Sequence, residues 1–253
     1  MDLGLRDRVV LITGAGGGAG TTLARAFAAE GAIVALHHRG GHSGGRATAT
    51  ADAIVADGGR AIPVAAELRS DEQVRAMVEQ IDHEAGAVGV LVTATSAYRS
   101  EKFPEIDEGS WEEVVDDLLG ATFRANHAVV PGMQAAGWGR IVNIAARSGI
   151  VGVARASHYA AAKAGILGLT ASLAKELGPS GILVNAVAPT QIQTVKDGVP
   201  SIPDERAAEL AKAIPIRRLA TPVDLANLVV WLGSAANTYV SGETISLTGG
   251  DQR

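Results

Sequence analysis

Tyr159 and Lys163 are the residues whose types and spacing first indicate chemistry in this 253-residue sequence. They lie four residues apart in a helical pattern that begins near Ser157, so their side chains should share one helix face. An ammonium beside a phenol favours the phenolate, and we expect Lys163 to lower the pKa of Tyr159 from about 10 toward neutrality. Such a tyrosine suits general acid or base catalysis. The same spacing also fits an ordinary amphipathic helix with an interface lysine, so other segments must decide.

A glycine-rich turn near the amino terminus provides a second candidate site. Residues 9–12 predict a strand, residues 13–20 a tight turn and residues 21–30 a helix. Glycines allow close approach of a ligand, and the helix N-terminus offers unpaired N–H groups and a partial positive charge. We therefore predict a dinucleotide site, the alternative being a flexible loop without a ligand. The predicted contacts in the turn are Gly14, Gly16, Gly17, Gly18, Ala19 and Gly20.

The end of the second predicted strand indicates which dinucleotide to expect. The apolar residues 33–36 are followed by two histidines and Arg39. An acidic residue at this place takes the ribose 2′-hydroxyl, whereas an arginine accommodates a 2′-phosphate. With no acid present, Arg39 predicts NADP(H) rather than NAD, with Arg46 as a second contact; the alternative is a solvated turn arginine. Glu67 and Leu68 follow the third strand, in position to line an adenine pocket.

Composition argues against several classes of protein. The formal net charge is −5 and the basic residues are dispersed, so no nucleic-acid partner is expected. The absence of cysteine excludes disulfides, thiolate metal sites and thiol nucleophiles; we expect no metal, and a reducing cytoplasm. No apolar signal region precedes the first strand, and Lys163 interrupts the longest nearly uncharged run, so neither secretion nor a membrane span is predicted.

Short apolar runs alternate with helical segments along the rest of the chain. The later predicted strands are residues 61–65, 88–92, 139–144, 182–187 and 244–247. This alternation predicts an α/β fold of right-handed βαβ units in one doubly wound parallel sheet. No repeat or linker divides residues 1–253, so we expect a single domain. The proline-interrupted segment 190–215, with one short helix at 204–213, is long for a connection and is predicted to be a substrate lid.

Several motifs, taken in order, resemble the short-chain dehydrogenase/reductase family along essentially the whole chain. They are Thr13-Gly-x-x-x-Gly18-x-Gly20, Tyr159-x-x-x-Lys163, Asn185-Ala-Val-Ala-Pro189 and the ending Ser241-Gly242 with Gly249-Gly250. Residues 214–222 look like the 3-oxoacyl-(acyl-carrier-protein) reductase branch. The resemblance implies a Rossmann-type fold with strand order 3-2-1-4-5-6-7, and a nicotinamide cofactor at the carboxyl ends of the strands.

The resemblance also implies roles for individual residues. Tyr159 would give or take the proton of a small ketone or alcohol substrate, free or carrier-bound, and Lys163 would hold the nicotinamide ribose. Thr194 would lie near the carboxamide. The remaining cofactor contacts implied at strand ends are Thr93, Ala94, Pro189, Thr190 and Ile192.

Two members of the family's catalytic set are missing. The usual serine falls at Ala146 and the usual asparagine at Leu118. Loss of one preorganised donor costs about 10²- to 10³-fold in turnover. Tyr159 and Lys163 favour an NADP(H)-dependent oxidoreductase; the two replacements favour the alternative, a nonredox cyclase, dehydratase or isomerase, or a noncatalytic partner subunit.

Ser148 is the hydroxyl closest in sequence to Ala146, and we predict that it takes over the catalytic role of the missing serine. The alternative is a loop hydroxyl bonded to backbone. Further candidate donors are Arg147, Ser96 and Tyr98. His158 is expected at the surface or at an interface rather than acting as a base.

The resemblance implies a homodimer or homotetramer formed through residues 107–136 and 157–177. Residues 157–177 support this, because a helix that is apolar around most of its circumference must be covered. Its apolar members are Ala160, Ala161, Ala164, Ile166, Leu167, Leu169 and Leu173. The alternative is that a neighbouring helix of the same subunit covers them alone.

Overall fold

Short, β-branched-rich runs form a parallel sheet whose central strands are buried on both faces. The computed structural model describes residues 2–196 and 198–251. The strands are β1 Val9–Thr13, β2 Ile33–His38, β3 Arg60–Ala65, β4 Val88–Thr93, β5 Gly139–Ile144, β6 Ile182–Pro189, β7 Val195–Lys196, β8 Val199–Pro200 and β9 Thr244–Leu247. Seven of them lie in the order β3-β2-β1-β4-β5-β6-β9, which confirms the predicted order. The seventh strand of this sheet is β9 because a small antiparallel pair, β7 and β8, precedes it in the sequence.

Helices cover both faces of the sheet and enclose two apolar cores. The helices are α1 Gly20–Ala29, α2 Gly41–Ala56, α3 Asp71–Ala85, α4 Glu108–Val115, α5 Ala121–Ala136, α6 Ser148–Val151, α7 Ser157–Leu177, α8 Asp204–Ala213 and α9 Pro222–Leu232. One core packs α1, α2 and α9 on the sheet, and the other packs α3, α5 and the end of α7. Within the described ranges, no helix combines the length and apolar character needed to cross a membrane.

The strand order reverses at β1, which lies between β2 and β4. Ligand crevices of open α/β sheets form at such a point, outside the carboxyl ends of the strands. Here the backbone N–H of Ala94 donates to the backbone and side-chain oxygens of Thr13, both at 3.2 Å. Gly14 has φ +68°, and a Cβ there would lie 2.9 Å from the Ala94 oxygen, so this junction requires glycine.

The helix expected over residues 107–136 is interrupted by a π-turn. α4 ends at Val115, a five-residue π-helix spans Asp116–Gly120, and α5 then runs through Pro131 to Ala136. π-turns are rare and often occur at functional sites. Leu118 within this turn is fully buried, whereas the adjacent Asp117 reaches the crevice at the sheet edge.

Candidate active site

A cavity of about 530 Å³ lies at the carboxyl edge of the sheet, between the glycine turn, the end of β2, β4 and α7. All the predicted cofactor contacts line this cavity except Thr93. The Thr93 side chain is buried and its hydroxyl donates to Oδ1 of Asn143 at 2.9 Å, so it faces the interior of the sheet. Among the described residues, no group of three or more His, Asp or Glu side chains is placed to hold a metal ion.

The glycine turn fits a diphosphate by its backbone chemistry. A Cβ at Gly16 would lie 2.2 Å from the oxygen of Ser43, and one at Gly20 would lie 2.4 Å from that of Ala15. Because these two residues are glycines, the backbone of the turn packs closely on its neighbours and itself lines the cavity. Ala19 caps α1 without any side-chain hydrogen bond, so no side chain of the cap satisfies the N–H groups that begin the helix. Such an N-terminus attracts a phosphate.

His37 fixes the start of the turn, a role that sequence reasoning missed. Its Nδ1 accepts a hydrogen bond from the backbone N–H of Gly14 at 3.0 Å, and its Nε2 lies 3.0 Å from the oxygen of Ala66. Burial lowers the pKa of His37 to about 4, so the ring is neutral near pH 7 and Nε2 is the donor. The signal in the sequence was a histidine at the end of an otherwise apolar strand.

Two arginines reach the cavity near the end of β2. Arg39 lines it with a half-exposed side chain, and its Nη1 lies 3.6 Å from Oδ2 of Asp117. Arg46 also lines the cavity, and its Nε donates to the backbone oxygen of Gly16 at 2.8 Å. Arg39 thus takes part in an ion pair at the cavity wall, and 56% of its side chain is exposed.

Tyr159 and Lys163 face this cavity from α7. Nζ of Lys163 donates to the oxygen of Ile144 at 2.7 Å and lies 5.9 Å from the centre of the Tyr159 ring. Burial, with a smaller effect of Tyr98, raises the pKa of Tyr159 to about 12, and burial lowers the pKa of Lys163 to about 8. The predicted lowering of the tyrosine pKa is therefore wrong, because desolvation disfavours the phenolate and the ammonium is bonded to a carbonyl.

The positions of the two missing family residues are apolar in this structure. Ala146 lines the cavity with a methyl group. Leu118 is fully buried and packs in a small apolar cluster with Val114 and Ala162, against which Tyr159 also lies. Neither position offers a side-chain hydrogen bond to a substrate or a water.

A second cavity, of about 660 Å³, lies beside the first, and Tyr159 and Ala146 line both. Oγ of Ser148 is buried and has no hydrogen-bond partner among the described residues. Ser148 is the first residue of α6. The alternative of a loop hydroxyl bonded to backbone is therefore wrong, because the residue is helical and its hydroxyl has no such bond. Nη2 of Arg147 lies 3.2 Å from Oδ1 of Asp251. The segment 190–215 lines this cavity through Thr190, Gln191, Ile192, Thr194, Ser201, Ile202, Leu210, Ala213 and Ile214.

His158 is completely buried, so the expectation of a surface position is wrong within this chain. Its Nε2 lies 3.6 Å from Oε2 of Glu101. The loop after β4 covers the first turn of α7, and the N–H of Glu101 donates to the oxygen of Arg155 at 2.7 Å. This loop therefore buries His158, and the periodicity of the helix alone does not predict that burial.

The outer face of α5 and α7 combines small and aromatic residues. Ala161, Ala164 and Gly168 of α7 are exposed. Phe123 of α5 is 51% exposed and stacks on His127 with ring centres 5.6 Å apart. Neighbouring helices of the same chain therefore leave part of the α7 surface uncovered.

Comparison with known proteins identifies relatives along nearly the whole chain. A sequence model of the family described as enoyl-(acyl carrier protein) reductase matches residues 14–251. Nodulation protein G of Azospirillum brasilense is 34% identical over 97% of this chain and 98% of its own. The 3-oxoacyl-(acyl-carrier-protein) reductase FabG of Pseudomonas aeruginosa is 35% identical over 98% of both chains, and that of Staphylococcus aureus is 34% identical over 95% and 96%. The two reductase names do not favour the alternative of a nonredox or noncatalytic role.

Proposed function

The chain belongs to the short-chain dehydrogenase/reductase family, and from that premise we propose that it is an NADP(H)-dependent oxidoreductase that interconverts a ketone and a secondary alcohol. Membership of the family makes it an oxidoreductase with a nicotinamide-type cofactor. Our proposal goes further and names NADP(H) as the cofactor, the catalytic residues and the class of substrate. The observation that carries it is the position of Tyr159, which lines both the glycine-turn cavity and the adjoining cavity.

The first cavity offers a group for each part of the dinucleotide. The glycine turn and the start of α1 would hold the diphosphate. Arg39 and Arg46 would donate hydrogen bonds to the 2′-phosphate, and Glu67 with Leu68 would flank the adenine. Lys163 would bind the nicotinamide ribose, with the Pro189, Thr190, Ile192 and Thr194 segment beside the nicotinamide. When bound, this cofactor supplies transfer of a hydride to or from the carbonyl carbon.

Tyr159 would supply the proton that accompanies reduction. Because burial raises its pKa to about 12, the phenol is protonated at neutral pH and can donate to the developing alkoxide. The pKa of Lys163 is about 8, so its ammonium is mostly present at pH 7 and adds positive charge to the same cavity wall. This protonation pattern favours the direction of carbonyl reduction.

Ser148 is the proposed replacement for the family serine at Ala146. Its buried Oγ has no hydrogen-bond partner among the described residues, and it lines the second cavity together with Tyr159. A buried hydroxyl without a partner is costly unless a ligand satisfies it. Arg147 is a second candidate, because its buried Nε also lacks a partner within the described residues.

The second cavity would bind the substrate. Much of its lining is apolar, including Val151, Val153, Leu210 and Ile214, and the segment 190–215 would act as its lid. The names of the relatives support a 3-oxoacyl group delivered on a carrier protein, and we propose a ketone of this kind, free or carrier-bound.

We also propose a homodimer or homotetramer formed through α5 and α7. The cytoplasmic location stays a prediction from composition.

Titration with NADPH and NADH, followed by nucleotide fluorescence and by the melting temperature, tests the cofactor site. A panel of 3-oxoacyl thioesters and simple ketones, followed by the absorbance of the reduced nicotinamide, then tests redox turnover. Binding of neither nucleotide would overturn the proposal. Nucleotide binding without turnover of any ketone would leave the cofactor site in place and overturn the proposed reaction.

A further inference from the structure

A carboxylate and a guanidinium meet at the adenosine end of the first cavity. Arg39 follows β2, Asp117 lies in the π-turn between α4 and α5, and both line the cavity. Oδ2 of Asp117 is 3.6 Å from Nη1 of Arg39. The pair therefore joins two elements at the cavity that is also lined by the residues expected to flank adenine, Glu67 and Leu68.

Asp117 is held in place by its neighbours. Its side chain is 14% exposed, and its Oδ1 lies 3.1 Å from Nε of Arg69. The next carboxylate along the chain, Asp116, pairs with Arg69 at 3.7 Å and with Arg124 at 2.8 Å. Asp116 belongs to the same charge network but does not line the cavity. Two adjacent carboxylates thus share one cationic partner, Arg69, and of the two only Asp117 lines the cavity.

We propose that Asp117 determines nucleotide preference by opposing the 2′-phosphate at Arg39, an inference that rests on the proposed NADP(H) site. A 2′-phosphate must compete with Asp117 for the guanidinium and is repelled by the carboxylate. In dinucleotide folds an acid that accepts the ribose 2′-hydroxyl normally stands at the end of the second strand. Here that strand ends without an acid. The π-turn instead brings the Asp117 carboxylate to the same cavity, next to Arg39.

The consequence is a site that accepts both nucleotides, with a weaker preference for NADPH than Arg39 alone would confer. Neutralising Asp117 frees Arg39 and removes the repulsion of the phosphate. It also weakens the acceptor for a ribose hydroxyl, because a neutral oxygen accepts a weaker hydrogen bond than a carboxylate. NADPH binding should therefore tighten while NADH binding stays the same or weakens.

The test compares Asp117→Asn with the matched control Asp116→Asn by fluorescence titration of NADPH and NADH at one fixed, low ionic strength. We expect Asp117→Asn to lower the Kd for NADPH relative to that for NADH by about tenfold, the effect of removing one like charge near the phosphate. Asp116→Asn should leave the ratio of the two Kd values unchanged. Circular dichroism checks folding, and Asp117→Ser provides a second neutral variant if the amide misfolds.

Three outcomes would overturn the inference. An unchanged Kd ratio in both neutral variants would exclude a role for Asp117. An equal shift in Asp116→Asn would assign the effect to overall charge rather than to the cavity. Binding of neither nucleotide by any of the proteins, wild type included, would overturn the proposed cofactor site itself, and with it this inference.

Discussion

The backbone N–H of Gly14 donates a 3.0 Å hydrogen bond to Nδ1 of His37, which ties the glycine turn to the end of β2. The bond requires an unprotonated Nδ1. Since burial lowers the pKa of His37 to about 4, the folded protein maintains this contact well below the ordinary histidine pKa of 6.5.

Acid should therefore destabilise the protein through His37. Between pH 6.5 and 4 the unfolded chain binds a proton at this residue and the folded chain does not, so stability falls as the pH is lowered. We expect the free energy of unfolding to drop by about 3 kcal/mol across this interval from His37 alone. Urea titrations of wild type and the nontitrating His37→Gln measure the difference. Parallel stability curves for the two proteins would contradict the prediction.

Replacing Tyr159 with phenylalanine should abolish most reductase turnover, because the phenol is the proposed proton donor. General acid catalysis contributes about 10²- to 10⁴-fold, and we expect a loss in kcat of that size. Binding of NADPH should persist, since the ring remains in place. Steady-state kinetics and nucleotide titration check both parts, and turnover that survives Tyr159→Phe would refute the mechanism.

Ser148→Ala should lower kcat by about 10²-fold if Ser148 donates to the carbonyl oxygen. Ala146→Ser, which restores the hydroxyl at the family position, should recover part of this loss in the same background. Ser157→Ala is a matched control, because its Oγ is also buried without a partner among the described residues but lines neither cavity. Equal effects of the two alanine substitutions would indicate a structural role only.

Arg39→Asp should weaken NADPH binding by at least about tenfold while changing NADH binding much less, because an acid in this position repels the 2′-phosphate. Arg25→Asp is the control: Arg25 is exposed, 3.9 Å from Asp57, and does not line the cavity. Fluorescence titrations of both nucleotides provide the comparison. Equal losses for the two nucleotides would exclude a phosphate contact.

A negative charge on the outer face of α5 or α7 should dissociate the proposed oligomer. We expect Phe123→Glu or Ala164→Glu to give particles of 25.8 kDa, the mass of one chain, in light scattering. Val55→Glu is the control, because Val55 is also exposed but lies on α2. Wild-type protein that already has the mass of one chain would rule out the assembly.

The alternation of apolar runs with glycine turns was sufficient to predict a doubly wound parallel sheet, because buried parallel strands leave a strong local pattern. The order of the strands in that sheet was predicted from the family resemblance and is confirmed. The predicted strand ends indicated which segments would meet at the crevice. The positions of the strands depend on neighbouring residues in the sequence, so a single chain contains that information.

Properties that depend on distant residues could not be predicted in this way. The loop that buries His158 lies more than fifty residues earlier, and Asp117, in the π-turn between α4 and α5, meets Arg39 from a distant part of the sequence. The elevated pKa of Tyr159 arises from burial by the whole fold, which the helical spacing to Lys163 does not encode. Side-chain environment, unlike the position of a strand along the chain, is a tertiary property.

The π-turn at Asp116–Gly120 makes this part of the chain sensitive to length as well as to residue type. A helix advances by about 100° per residue, so deleting one residue here would rotate α4 relative to α5 by that angle. Val114, which packs with Leu118 and Ala162, would then turn away from that cluster. Point substitution can alter the carboxylate at the cavity or the apolar packing of Leu118 separately, whereas a one-residue deletion would displace both together.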